Sequence, residues 1–322
     1  MPATPNPLRP AAKPGGVLSR LAKRGRQLLG REQVAFVFSG GGSLGAVQIG
    51  MLRALVDAGI QADFVVGASV GAINGAGYAY DPTLRGVGRL ERIWTGLANG
   101  EPELMPSGRI PLAVQLARKG DALHSPESLR QMLVEELGNQ DFNQLKIPFQ
   151  CVATDLELAS EHWFSEGPVV PALMASASLP AVYPAVELDG RTYIDGGVLS
   201  EVHTTRAAEF GATTIYVLHV GHLSHRWIDV QRPFDSAMRA YWTARRFRLH
   251  DDLARIPGHC TVHVLPAGET PRLRFDDFSQ AQLLVERSYE GTANYLAGIS
   301  SPHEPIDRHE PLGYKPVGFG HE

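Results

Sequence analysis

The sequence predicts an α/β fold with a mostly parallel central sheet, and three observations carry that expectation. Short apolar runs alternate with helical patterns over residues 34–298. The first two runs, at 34–38 and 64–66, show no polar alternation, as expected of strands covered on both faces. Each leads through a Gly- and Ser-containing turn into a segment with helical spacing. Hydrophobic residues make up 43% of the 322 positions, and 34 glycines bring the apolar share above half. That supports a sizeable core and excludes general disorder.

Residues 1–31 stand apart. They hold Arg9, Lys13, Arg20, Lys23, Arg24, Arg26 and Arg31 and no acid, and prolines crowd the first fourteen positions. They read as a flexible basic arm, either a solvated tail or a segment that lies on anionic membrane. The strand at 34–38 ends at Ser39-Gly40-Gly41-Gly42. Leu44, Val47, Met51, Leu52, Leu55 and Val56 then recur at helical spacing until Gly59. A strand at 64–66 precedes a Gly/Ala-rich helix over 70–80. Further helices are expected near 83–97, 111–118 and 125–137, the last with Ser125 as N-cap and Pro126 at the first helical position. Strands are expected at 149–158, 185–188 and 191–194, the last two joined by Asp189-Gly190 as a hairpin. Strands at 213–220 and 260–265 each precede a long helical stretch. Residues 238–255 read as an amphipathic helix with a solvated basic face, and 300–322 as a fraying tail. The expected division is therefore a basic arm 1–31, a catalytic core 32–220, C-terminal elements 221–299 completing the same domain, and a flexible tail 300–322.

Several function classes drop out. Lys+Arg 30 against Asp+Glu 34 leaves −4, so no overall basic field recruits nucleic acid. Cys151 and Cys260 are too few for a disulfide scaffold or a zinc site and read as buried free thiols. No metal or other cofactor is expected. No run of 18 apolar residues suggests a spanning helix, and the N-terminus lacks the apolar stretch of a secretory signal. The expected location is cytoplasmic, with peripheral contact at the inner membrane face through the arm.

Three motifs carry chemistry. Gly40-Gly41-Gly42-Ser43-Leu44-Gly45 joins a strand to a helix. Such a loop turns several N–H groups to one point and binds an anion, either a phosphate or the oxyanion of acyl transfer. A dinucleotide site is disfavoured, because the ribose-binding acid is missing where the next strand ends at Gly67-Ala68-Ser69, and Asp63 precedes that strand. Gly67-Ala68-Ser69-Val70-Gly71 has the pattern of a nucleophile elbow, with Ser69 on a strand–turn–helix corner. Asp195-Gly196-Gly197 places an acid at the end of a strand, followed by a turn. A serine nucleophile needs a base, and His203, His219 and His222 follow Asp195 as alternatives to it.

The order and spacing of these motifs resemble the patatin-like phospholipase family over about 34–220. The shared features are a G-G-G-x-x-G loop, a G-x-S-x-G elbow some 25 residues later and an Asp-Gly-Gly motif. Ala175-Ser176-Ala177-Ser178-Leu179-Pro180 is similar to the family's segment ahead of the acid. The resemblance implies a three-layer α/β/α hydrolase that cleaves acyl esters of lipids without a metal. It implies Ser69 as nucleophile and Asp195 as base. It places the oxyanion hole in the loop of Gly40, Gly41, Gly42, Ser43 and Gly45, with Gly67 and Gly71 framing the elbow and Gly196 and Gly197 shaping the acid loop. The chain departs from the family pattern at Leu44, where many members have Arg or Lys, and at Ser200 and His203, where members often carry Asn and Pro.

Overall fold

The computed structural model describes residues 32–101, 125–200, 202–220, 252–268 and 277–299, with 236, 240, 243–245, 248 and 249. The strands are β1 (Val34–Phe38), β2 (Phe64–Ala68), β3 (Phe149–Asp155), β4 (Ser160–Phe164), β5 (Val186–Leu188), β6 (Arg191–Asp195), β7 (Thr214–Leu218) and β8 (Thr261–Val264). The helices are α1 (Ala46–Asp57), α2 (Val70–Tyr80), α3 (Leu84–Ala98), α4 (Glu127–Leu137), α5 (Val169–Ser176), α6 (Thr204–Glu209) and α7 (Ala281–Gly298). All eight strands form one sheet in the order β5-β6-β3-β2-β1-β7-β8, with β4 added on β3.

Pairings among β1, β2, β3, β7 and β8 are parallel, whereas β4, β5 and β6 join antiparallel. β1 and β2, in the middle of the parallel part, carry no polar side chain because both faces are covered. Along β1, Phe36 and Phe38 pack with Val47 and Leu52 of α1 on one side. Ala35 and Val37 pack with Val202, Ala207 of α6 and Leu249 on the other. Helical residues therefore lie on both sides of the sheet, giving the expected three layers. Phe36 stacks on Tyr78 of α2 and meets Tyr216 of β7 edge-on, with centroids 5.4 and 5.9 Å away. Burying each such side chain contributes about 2–3 kcal/mol.

The register at β3 decides where the site forms. β2 pairs with β3 up to Ala68 opposite Val152. β4 pairs with β3 over Cys151–Asp155, overlapping β2, so β4 holds the opposite edge. β6 pairs with Ala153 to Asp155, overlapping β4, so it shares the edge held by β2. β2 and β6 therefore run towards each other along one edge of β3. Ala68 ends opposite Val152, and Asp195 ends opposite Ala153.

Most expected elements appear near their predicted bounds, with informative differences. The β5–β6 turn has Asp189 at φ 50° and Gly190 at φ 73°, the two left-handed residues that a tight hairpin needs. The strand expected over 149–158 ends at Asp155, and a strand that the sequence does not predict, β4, follows it. Leu158 N donates to Asp155 Oδ1 at 2.9 Å and Ala159 takes φ 49°, so the chain turns back into β4. Leu156 and Leu158, which lengthened the apolar run, are exposed in that turn. Gly42–Gly45 forms a 3-10 turn, so α1 starts only at Ala46. α4 starts at Glu127, whose N–H donates to Ser125 Oγ at 3.3 Å. The short helices α5 and α6 were not anticipated. Cys151 and Cys260 are both free and buried. In the basic stretch 238–255, Arg248 and Arg255 are exposed, but Arg245 is buried at 3% exposure. The basic arm, the helix expected at 111–118, His222 and the tail lie outside the described residues.

Candidate active site

Ser69 occupies the corner between β2 and α2 with φ 56° and ψ −131°. A positive φ on a non-glycine residue is strained, and here it holds the hydroxyl out at the start of a helix. Close packing leaves no space beside the corner. A Cβ on Gly71 would lie 2.3 Å from Ser39 O, and one on Gly67 would lie 2.6 Å from Gly71 O. Ser69 N donates to Ser176 Oγ at 3.0 Å. Ser176 ends α5 inside the 175–180 segment, so that segment holds the corner directly.

Asp195 meets this corner from the end of β6. Ser69 Oγ donates to Asp195 Oδ2 at 2.5 Å, and Gly197 N donates to Oδ1 at 2.7 Å. The backbone is fixed as well. Asp195 N donates to Ser178 O at 2.9 Å, and Thr154 Oγ1 donates to Asp195 O at 3.0 Å. Asp195 is 2% exposed. Burial raises its pKa above the usual carboxylate range. The Ser69 hydroxyl, the Arg245 charge, the Gly197 N–H and His203 pull it down, and burial wins. A carboxylate so placed is a stronger base than one in water, and the hydroxyl proton is already within its reach.

The glycine loop divides. Gly41 and Gly42 line a cavity together with Ser69 and Asp195. Gly42 has φ 58°, a left-handed backbone that a side chain disfavours. Gly40 is not among the lining residues; a Cβ there would meet Arg245 Nη2 at 3.1 Å and Ser69 Cβ at 3.2 Å. Ser43 is fully buried and also off the cavity lining. Gly45 lies against Val70 and Trp94. A buried polar network holds the loop from below. Gln48 Nε2 donates to Ser39 O at 2.7 Å and Leu218 O at 3.1 Å. Asn74 Nδ2 donates to Gly45 O at 3.0 Å and Gln48 Oε1 at 2.8 Å, and Trp94 Nε1 donates to Asn74 Oδ1 at 3.1 Å. Such a network is rigid, because any broken link strands a buried polar group. Its sequence signal is a polar residue inside an apolar helix face, as Gln48 is between Val47 and Ile49.

Gly196 and Gly197 open the 3-10 turn Gly196–Val198 that follows the acid. Arg245 packs on this turn. A Cβ on Gly197 would lie 3.0 Å from Arg245 Nη2 and 2.9 Å from Asp195 Oδ1. One guanidinium thus touches both the glycine loop and the acid loop, and it lines the cavity. The histidines are placed differently. His203 Nε2 lies 3.2 Å from Glu161 Oε1, and its ring meets Trp163 edge-on. Neither His203 nor His219 lines the cavity. Asp63, the acid that was misplaced for a ribose, accepts from Val34 N at 2.9 Å and joins the starts of β1 and β2.

The cavity holds about 1160 Å³ of empty space, partly open to solvent. Beyond Ser69 its walls are Ile73, Leu90, Trp94, Leu133, Leu179 and Phe278. It offers a reactive hydroxyl at one point and mostly apolar surface elsewhere. Among the described residues no group of three or more His, Cys, Asp or Glu could hold a metal ion. No helix of the described residues is long and apolar enough to cross a membrane.

Comparison with known proteins adds to this geometry. A lysophospholipase NTE1 of Phaeosphaeria nodorum is 27% identical over 235 residues, 70% of this chain and 14% of that protein. A putative patatin-like phospholipase domain-containing protein of Caenorhabditis elegans is 29% identical over 206 residues, 63% of this chain and 18% of that protein. The chain therefore spans less than a fifth of these relatives. Among solved structures, VipD from Legionella pneumophila has a TM-score of 0.44 at 15% identity, covering 83% of this chain and 67% of that one. The family model described as Patatin-like phospholipase matches residues 36–208, which contain the glycine loop, the elbow and the acid. That match spans more than half of the sequence, and the chain belongs to the patatin-like phospholipase family.

Proposed function

We propose that the chain is a serine lipid acyl hydrolase, a phospholipase A or related carboxylic ester hydrolase, working through a Ser69–Asp195 dyad. The observation that carries this reading is the Ser69 Oγ to Asp195 Oδ2 hydrogen bond of 2.5 Å inside an apolar cavity. The ester carbonyl lies over Ser69 with its oxygen towards the Gly41 and Gly42 amides, and the acyl chain lies along the apolar walls. Asp195 takes the hydroxyl proton as Oγ attacks, and the proton then passes to the leaving alcohol. The glycine-loop amides stabilise the oxyanion. Water, activated by the same carboxylate, hydrolyses the acyl-serine and restores Ser69. Labelling by a fluorophosphonate with peptide mapping, followed by a panel of phospholipids, lysophospholipids and glycerides, tests the reading. No label on Ser69 and no lipid cleaved would leave a lipid-binding protein without this chemistry.

Two expected outcomes test the surroundings of the dyad. Gly42→Val should lower turnover about 100- to 1000-fold, the usual loss with one oxyanion donor. Normal turnover in a folded variant would remove the loop from the mechanism. Arg245→Met should move the acidic limb of the kcat/KM pH profile upward. The sign follows from the charge: Asp195 works ionised, Arg245 pulls its pKa down, and removing that charge raises it. An unmoved limb would deny Arg245 any influence on the base.

The arm 1–31 is proposed to bring the enzyme to anionic membrane. Each Lys or Arg near such a surface is worth about 1 kcal/mol, and salt screens the attraction. Deleting 1–31 should weaken co-sedimentation with anionic vesicles at low salt while sparing hydrolysis of a soluble short-chain ester. Equal sedimentation of both proteins would make the arm a solvated tail.

A further inference from the structure

The cavity has a direction. Val70, Ile73, Asn74 and Gly77 line it from α2, at the spacing of one helix face leading away from Ser69. At 1.5 Å per residue, Gly77 lies about 12 Å along from Ser69 and Tyr80 about 16 Å. α3 runs back beside α2. A Cβ on Gly45, near the catalytic end, would meet Trp94, while one on Gly77 would meet Leu90 at 2.6 Å. The next residue, Arg89, lies over the Tyr80 ring at 4.8 Å, at the far end of α2.

At that far end Arg89 Nε lies 3.4 Å from Glu136 Oε2 of α4, and both residues line the cavity. Their half-buried charged ends border the cavity at this end, and the walls between them and Ser69 are mostly apolar. A second, polar cavity lies beyond, lined by Tyr80, Asp81, Arg85, Arg89, Gln144 and Lys146. Arg89 borders both, so it is the partition between an apolar and a polar space. An apolar tail that reached the partition would have to displace an ion pair and then enter charged surroundings, with no gain from burial.

We infer that the Arg89–Glu136 pair is the end stop of the acyl cavity and sets the longest acyl chain that binds in full. The inference rests on the lipid acyl hydrolase reading for its ligand class, a single saturated fatty acyl chain entering from Ser69. Neither residue touches the reacting atoms. Each methylene buried up to the stop improves affinity about fourfold, and methylenes beyond it add nothing.

The test is displacement of a fluorescent fatty acid by saturated acids from octanoate to octadecanoate, on the full chain and three variants. The wild-type affinity should rise with length and then level at a break. Arg89→Ala, and Glu136→Ala from the opposite helix, should each move the break to longer acids. Glu136→Gln keeps the side-chain volume and an oxygen that accepts from the still-charged Arg89, and should leave the break in place. An unchanged break in Glu136→Ala, or no break in the wild type, would overturn the inference. Should Arg89→Ala lose its fold with its packing on Tyr80, Glu136→Ala decides alone. Hydrolysis of the matching ester series is read alongside. A break in binding without any hydrolysis would sink the hydrolase reading and leave the end stop standing.

Discussion

Ser69→Ala should abolish ester hydrolysis and leave the fold intact. The hydroxyl is the group held 2.5 Å from Asp195 on the lining of a mostly apolar cavity, so removing it removes the nucleophile. Residual rate would come from binding and the oxyanion donors alone, and the loss should be several orders of magnitude. A variant that kept a tenth of the rate would have lost only about 1.4 kcal/mol of barrier stabilisation, and Ser69 would not be the nucleophile. Ser69→Gly separates chemistry from strain. Both variants should be inactive, but glycine relieves the positive φ, and its variant should be the more stable by about 1 kcal/mol in thermal unfolding. Equal stability would mean that the corner stores no strain.

Asp195→Asn should be nearly as damaging, and His203→Ala far less so. Asparagine keeps the size and can still accept from Gly197 N, so the loop survives. It cannot take the serine proton at neutral pH. His203 sits against Glu161 and Trp163, so its loss costs packing, about 1–3 kcal/mol of stability, and not the base. Initial rates on a soluble ester, with unfolding curves for each variant, check both statements. An inactive His203→Ala beside an active Asp195→Asn would replace the dyad with a histidine base.

The parts of this fold that were legible in the sequence are those fixed by local chemistry. The apolar run at 34–38, the glycine loop and the elbow each force one conformation from a few consecutive residues. Asp189-Gly190 likewise announces its hairpin. β4 was missed because Ser160–Phe164 is a strand at the end of a hairpin with a mostly polar, half-buried sequence. Periodicity carries little signal there. Arg245 was misread for another reason. Arg248 and Arg255 of the same stretch are exposed, and nothing in composition marks Arg245 as buried against the acid loop. The support for the elbow was equally hidden, since Ser176 reaches Ser69 N across 107 positions of sequence. Gln48 and Asn74 show the limit in another form. Their types are visible in the sequence, but only the packing of α1 on α2 reveals that they hydrogen-bond each other.

The meeting of β2 and β6 along one edge of β3 turns catalysis into a gauge of assembly. A slip of β6 by one residue would carry Asp195 about 3.4 Å along the edge and send its side chain to the other face of the sheet. A misaligned molecule would keep its core, its glycine loop and its nucleophile, yet have no base beside the serine. The fraction of a refolded sample that reacts quickly with an active-site phosphonate would then count correctly registered sheets, a quantity that circular dichroism does not separate. Selection for activity alone would, by the same token, act as quality control on the alignment of the whole β6 strand.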